Sequence, residues 1–177
     1  HIELARDVAE RFNSRYGETF VVPAHVIPPA GARVMDLQEP TSKMSKSLDS
    51  PQGTVLALDD PKAIEKKFKR AVTDSESEVR YDPAAKPGVS NLLGILAAVT
   101  DRDPGALAEQ YTQYGPLKVD AAAAVIEALR PIQERYRGLI DDEAALAEIT
   151  AKGAHKARTI AAPTLRRARD AVGLLPR

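Results

Sequence analysis

The chain contains the stretch Lys43-Met44-Ser45-Lys46-Ser47, which places two ammonium groups and two hydroxyl groups within five residues. A lysine side chain is a compact, mobile positive charge with three hydrogen-bond donors, and it suits the oxygens of a phosphate group. Turn-prone residues lie on both sides, in 39–42 and 48–53. A loop of this kind can close over a polyphosphate and open again. The stretch therefore predicts a mobile phosphate-binding loop, and a solvent-exposed polar loop without a ligand is the alternative.

With 44% hydrophobic and 28% charged residues, the composition is typical of a soluble protein. The 177 residues are enough for one full hydrophobic core or two small ones. The net charge is zero, so a nucleic-acid partner would have to be held by local basic patches. The absence of cysteine excludes disulfides and thiolate metal sites, and three dispersed histidines (His1, His25 and His155) indicate no metal site. No membrane-length apolar run or signal peptide is visible, which favours the cytoplasm and no membrane partner.

The first residues already show helical periodicity, with apolar side chains recurring from Ile2 to Phe12 and a plausible end at Gly17. The chain opens at His1 without an initiator methionine and without an N-cap for this helix. We therefore interpret the sequence as part of a longer protein.

Short apolar runs predict a strand at 19–23, an extended segment at 33–37, and a short strand or extended run at 54–58. From residue 60 onward the pattern is helical. The pairs Asp60-Pro61 and Asp103-Pro104 each combine an N-cap with a proline at the first helical position. Further helices are predicted at 89–99, at 119–138 and from the acidic residues 141–143, the last one pausing at Gly153 and kinking or restarting at Pro163.

Beyond these patterns, the chain resembles a known family. Residues 43–47 match, letter for letter, the signature loop of the class I aminoacyl-tRNA synthetases. Other segments resemble bacterial tryptophanyl-tRNA synthetase, in order and with similar spacing: 1–7, 32–35, 71–76, 86–93 and 129–136. The loop specifies only the class, whereas 86–93 and 129–136 point to the tryptophan enzyme.

The resemblance implies a mainly α fold that corresponds to the C-terminal half of such an enzyme. It would combine a helical tRNA-binding region with the tail of a Rossmann-like catalytic domain. On this basis residues 1–43 are the catalytic-domain tail leading into the loop, 44–144 are a helical anticodon-binding region, and 145–177 are a C-terminal helix that returns to the catalytic domain.

The activity implied by the resemblance is ATP-dependent ligation of tryptophan to its tRNA through an aminoacyl-adenylate, with ATP bound as its Mg²⁺ complex and no prosthetic group. Lys43 and Lys46 would be the catalytic residues, because negative charge builds on the leaving pyrophosphate. Ser45 and Ser47 would bind ATP or brace the loop, and Val34 and Met44 would meet the adenine through backbone groups. The alternative for Val34 is that it is simply a core residue.

Several features that the family needs for activity are not found in this sequence. No histidine motif of the HIGH type, no indole pocket and no glycine-rich phosphate loop is found. The chain alone is therefore expected to be inactive. The resemblance itself implies that the intact enzyme is a homodimer whose tRNA reaches across both subunits.

The remaining basic residues predict contacts with tRNA phosphates less specifically. The candidates are Arg130, Arg135, Lys152, Lys156 and Arg158. Three of them are part of a stripe without acidic residues that comprises Lys152, Lys156, Arg158, Arg166, Arg167 and Arg169. A solvated helix face is the alternative.

Two other functions stay open at this point. The chain could be a stand-alone helical RNA-binding or regulatory module derived from a synthetase, or part of a class I synthetase for another amino acid.

Overall fold

The computed structural model describes residues 1–28, 30–47 and 50–174, so Leu48 and Asp49 of the predicted turn lie outside the described residues. The described part forms six helices: α1 (Ile2–Tyr16), α2 (Pro61–Lys69), α3 (Pro87–Thr100), α4 (Pro104–Ala108), α5 (Tyr114–Arg137) and α6 (Glu143–Ala171). It contains no strand, and its β structure is one isolated antiparallel bridge between Met35 and Lys43. The predicted mainly α fold is confirmed.

The strand predicted at 19–23 is wrong, because a side chain occupies the place of a partner strand. The Asn13 side chain accepts hydrogen bonds from the backbone N–H groups of Thr19 (3.1 Å) and Phe20 (2.9 Å), and it donates to the Phe20 carbonyl (2.7 Å). Asparagine side chains compete for backbone groups in this way. The apolar ring of Phe20 instead packs edge-on against Phe12 of α1, with 4.8 Å between ring centroids.

The segment at 54–58, predicted as a short strand or an extended run, forms no strand, for the same physical reason. The Lys67 ammonium donates to the Thr54 carbonyl (2.8 Å), and the buried Gln133 amide donates to the carbonyls of Ala57 and Asp59 (both 2.9 Å). These bonds satisfy the backbone from α2 and α5, so the segment needs no neighbouring strand.

Helix starts follow the predicted capping residues. The carboxylates of Asp60, Asp103 and Asp142 accept from the N–H groups three residues later, at 3.0, 2.8 and 2.9 Å. The helix that begins after Asp103 is short, since α4 stops at Ala108, and α5 begins at Tyr114, before the predicted start at 119. The predicted pause at Gly153 is wrong, because α6 runs without a break through Gly153 and Pro163.

By packing, the chain forms two compact units: residues 28–137, and residues 1–27 together with 138–177. In the first unit α3 is the central element, buried on almost every side, and it packs against α4 and α5 while α2 packs against α5. Its core includes Leu37, Phe68, Leu92, Leu93 and Leu117. Because these units are defined by packing and not by ligand, the three-part functional division of the chain stays a prediction.

A polar cluster fixes the start of α3. The Lys86 side chain is almost fully buried, and its ammonium contacts Glu76 (2.6 Å), Asp74 (3.1 Å) and the Tyr114 hydroxyl (3.1 Å). Burial disfavours the charge on Lys86, but these three partners outweigh it and raise the pKa of Lys86. Burial also opposes the charge on Asp74, yet hydrogen bonds from Tyr114 and Lys86 lower the pKa of Asp74. The cluster thus ties the 74–76 segment to α3 and α5.

Candidate functional site

The signature loop, residues 43–47, begins at a short antiparallel pairing. The Met44 N–H donates to the Val34 carbonyl (3.0 Å), and the Asp36 N–H donates to the Ser42 carbonyl (2.8 Å). Met35 and Lys43 face each other between these two bonds. The backbone of Lys43, the first lysine of the loop, is therefore held in place by this pairing.

Past this pairing the polar side chains of the loop reach solvent. Lys43, Lys46 and Ser47 are exposed, while Ser45 is partly buried. The Ser45 hydroxyl accepts from the Ser47 N–H (3.2 Å), and the Ser45 carbonyl accepts from the Thr54 hydroxyl (3.4 Å). Both ammonium groups are thus placed where an anion from solution can meet them.

Val34 and Met44 hold the loop against the core. Both are partly buried and pack against the core of residues 28–137. Their predicted contact with adenine runs through backbone groups, and two of those groups, the Val34 carbonyl and the Met44 N–H, bond each other. Packing therefore accounts for both side chains, and the adenine contact stays a prediction.

Asn91 of α3 bonds the segment that leads into the loop, and sequence reasoning did not select this residue. Its side-chain oxygen accepts from the Met35 N–H and its side-chain nitrogen donates to the Met35 carbonyl, both at 2.9 Å. The sequence contained only one signal, its place within the family-like segment 86–93.

Gly53 and Asp36 fix the chain after the loop. The Leu37 N–H donates to the Gly53 carbonyl (2.9 Å), and Gly53 lies directly against the Asp36 carboxylate. That carboxylate is buried, and its Oδ1 accepts from the N–H groups of Gln38 (2.8 Å) and Glu39 (3.0 Å). The signature loop is thus held at both ends by backbone contacts.

The candidate tRNA-binding residues fall in both units. In the unit of residues 28–137, Arg130 pairs with Glu127 (2.6 Å) and Glu134 (3.2 Å), which raises its pKa, and Arg135 is exposed. In the other unit, Lys152 pairs with Glu148 (2.6 Å), and Lys156 and Arg158 are exposed on α6. Their role as phosphate contacts stays a prediction.

The described residues form neither a metal site nor a membrane span. Within 1–28, 30–47 and 50–174, no group of three or more His, Asp or Glu side chains is arranged to hold a metal ion. None of the helices in these ranges combines the length and the apolar character that crossing a membrane requires.

Comparison with known protein families identifies the family to which this helical fold and its signature loop belong. Residues 1–132 match the model of the tRNA synthetases class I (W and Y), and the chain belongs to this family.

Individual relatives narrow the comparison to the tryptophan branch. The chain is 53% identical over 176 residues to tryptophan–tRNA ligase 1 of Streptomyces coelicolor, covering 99% of this chain and 52% of that protein. It is 51% identical over 178 residues to the tryptophan–tRNA ligase of Mycobacterium leprae, covering 99% and 52%. The chain thus spans about half the length of the curated relatives it matches.

Solved structures agree with this grouping. The tryptophanyl-tRNA synthetase of Mycoplasma pneumoniae superposes with a TM-score of 0.88 at 28% identity, covering 99% of this chain and 55% of that one. A Campylobacter jejuni tryptophanyl-tRNA synthetase, solved with ADP and tryptophan, gives a TM-score of 0.59 at 29% identity, covering 98% and 54%.

Proposed function

We propose that the chain contributes the signature loop and a helical tRNA-binding region to a tryptophan–tRNA ligase. The observation that carries this proposal is the position of the Lys43–Ser47 stretch. It starts at the backbone bridge between Met35 and Lys43, and both of its lysines are exposed. Tryptophan is favoured as the amino acid because relatives at 45–53% identity carry the name tryptophan–tRNA ligase.

In the proposed reaction the tryptophan carboxylate attacks the α-phosphorus of ATP, and pyrophosphate leaves as its Mg²⁺ complex. A hydroxyl of the terminal ribose of the tRNA then attacks the carbonyl carbon of the aminoacyl-adenylate, and AMP leaves. Negative charge accumulates on the leaving pyrophosphate, and Lys43 and Lys46 would stabilise it electrostatically. The hydroxyls of Ser45 and Ser47 can donate hydrogen bonds to phosphate oxygens.

The test uses a joined protein, in which this chain is linked to the half of the Streptomyces coelicolor ligase that it does not match. Tryptophan-dependent exchange of pyrophosphate into ATP is the assay. Lys46→Ala should slow the exchange about a hundredfold while the dissociation constant of tryptophan stays unchanged, since the charge met by Lys46 develops only in the transition state. Lys62→Ala, which removes an exposed lysine from α2, is the matched control.

The outcomes separate the alternatives. An unchanged exchange rate in Lys46→Ala contradicts the role of the loop. Because the amino-acid pocket of the joined protein comes from the Streptomyces half, the specificity of this chain is tested through the tRNA, and failure of the joined protein to charge the tryptophan tRNA contradicts it. The chain by itself is expected to give no exchange, and since it contains no tryptophan, emission from added tryptophan reports binding directly.

We propose that the chain binds tRNA weakly through the basic residues of α5 and α6. This binding should depend on salt, because each phosphate contact releases counterions. Replacing the six cations of the stripe between Lys152 and Arg169 with glutamine should flatten the salt dependence of binding to the cognate tRNA. An unaltered salt slope would mean that the stripe is a solvated surface. Retained tRNA binding in an inactive joined protein would favour the stand-alone RNA-binding module.

We also propose that the complete ligase works as a homodimer in the cytoplasm, where its tRNA substrate is used. Sedimentation of the joined protein measures the first point, and a monomeric active enzyme would contradict it.

A further inference from the structure

The pairing that leads into the signature loop has an outer edge, and a side chain covers it. Met35 faces Lys43 across the bridge, while the hydrogen bonds of that bridge are made by the neighbours Val34 and Asp36. The N–H and C=O of Met35 therefore point away from Lys43, as they would toward a third strand. Asn91, 56 residues further along the chain, takes that place and bonds both groups at 2.9 Å.

The chemistry of this contact suits asparagine. The Asn91 side chain is buried in α3, at the centre of the unit of residues 28–137. A buried polar group left without a partner is costly. A side-chain amide accepts through its oxygen and donates through its nitrogen, so Asn91 can bond the N–H and the C=O of Met35 at the same time, whereas ionised aspartate cannot donate and leucine can do neither.

We propose that Asn91 is a positioning residue for the signature loop. It holds the 34–36 segment on α3, so that Lys43 and Lys46 are presented to phosphate from a fixed backbone. This inference rests on the proposed function for its catalytic consequence, but its structural part can be tested without ATP.

The first experiment measures the initial rate at which trypsin cleaves the Lys43–Met44 bond in the 177-residue chain. This bond lies inside the bridge, so cleavage requires the bridge to open. Asn91→Asp keeps the acceptor for the Met35 N–H, but loses the donor and places a carboxylate against the Met35 carbonyl. Cleavage should rise about tenfold relative to cleavage after Lys69 of α2, the internal measure of global unfolding.

Ser90→Ala is the matched control. Ser90 is also buried on α3 and loses one hydrogen bond, but its hydroxyl serves the N–H of Asp82 (2.8 Å) and not the loop. Its cleavage ratio should stay at the value of the unaltered chain. An Asn91→Asp ratio that is equally unchanged would overturn the proposal.

A second measurement needs no variant and holds even if Asn91→Asp unfolds the chain. In the unaltered chain the Met35 and Met44 amide protons should exchange together and slowly, since one opening exposes both. Exchange of the Met35 amide at the rate of an unprotected amide, with Met44 protected, would overturn the proposal.

The catalytic consequence is measured in the joined protein. Asn91→Asp should lower kcat for pyrophosphate exchange about tenfold and leave the KM for tryptophan unchanged, because the loop acts on the transition state. An unchanged kcat alongside faster Lys43–Met44 cleavage would overturn the positioning role. An inactive joined protein with Asn91 intact would count against the proposed function instead, and cleavage and exchange would still decide whether Asn91 holds the loop.

Discussion

Replacing Gly53 with alanine tests the anchor that follows the signature loop. The backbone of Gly53 does not need glycine for its conformation, because the positive-φ glycines are Gly17, Gly31 and Gly173 within the described ranges. A Cβ atom at residue 53 would instead lie 1.8 Å from Oδ1 and 2.3 Å from Oδ2 of the Asp36 carboxylate. Something must therefore move when the methyl group is added.

The structure sets the size of the effect. If the carboxylate moves, Asp36 gives up the hydrogen bonds from the Gln38 and Glu39 N–H groups, and bonds to a charged acceptor contribute about 1.5–3 kcal/mol each. If the backbone moves, overpacking costs about 1–3 kcal/mol, and the Leu37–Gly53 hydrogen bond adds about 1 kcal/mol. The less costly route gives a loss of about 2–4 kcal/mol in the free energy of unfolding.

Urea unfolding followed by circular dichroism measures this loss. Gly94→Ala is the matched control, since nothing lies within 4 Å of a Cβ there and α3 should gain up to about 1 kcal/mol. In an Asp36→Ala background the obstacle is gone, and Gly53→Ala should then cost less than about 1 kcal/mol. A cost that is equal in both backgrounds would refute the reasoning.

Three other predictions follow from glycine contacts and from the buried cluster. Gly88→Ala should destabilise the chain by about 2 kcal/mol in the same urea assay, because its Cβ would lie 2.2 Å from the Val72 carbonyl oxygen, and a change below ~0.5 kcal/mol would contradict that contact. Gly153→Ala should increase the helix signal and raise the unfolding free energy of its unit by up to about 1 kcal/mol, since the site is open, and a loss of helix would show that the residue is needed in α6. The pKa of Asp74 is lowered in the folded chain, so ionised Asp74 stabilises the fold above the ordinary aspartate pKa, and this stabilisation is lost as the pH falls through the folded pKa. Asp74→Asn should therefore make Tm less sensitive to acid, and an unchanged dependence of Tm on pH would contradict this.

Local chemistry explains which parts of the fold could be predicted. Helix starts at Asp60 and Asp103 depend on the capping carboxylate and the proline that follows it, and both lie within a few residues. Residues 43–47 were likewise recognisable because the five letters are contiguous.

Contacts between distant residues explain the errors and omissions. Asn91 bonds Met35 from 56 residues away, and Gln133 bonds Ala57 from 76 residues away. Neither pairing leaves a local trace in the sequence. The runs at 19–23 and 54–58 have the apolar composition of strands, but side chains such as Asn13 and Gln133 satisfy their backbones.

The interruption predicted at Gly153 overestimated a single residue. Glycine costs a helix interior only about 1 kcal/mol relative to alanine, which the rest of a 29-residue helix can absorb. Pro163 also lies within α6, and proline removes one backbone donor without necessarily ending the helix.

The order of the two compact units along the chain has a consequence for synthesis. Residues 28–137 form one continuous unit, whereas residues 1–27 belong with residues 138–177. As the nascent chain leaves the ribosome, the continuous unit is complete before the second part of the other unit has been made, so it can fold first. Helix α1 therefore completes its packing only after residues 138–177 have been made, and Leu4 and Val8 remain largely exposed on its surface even then.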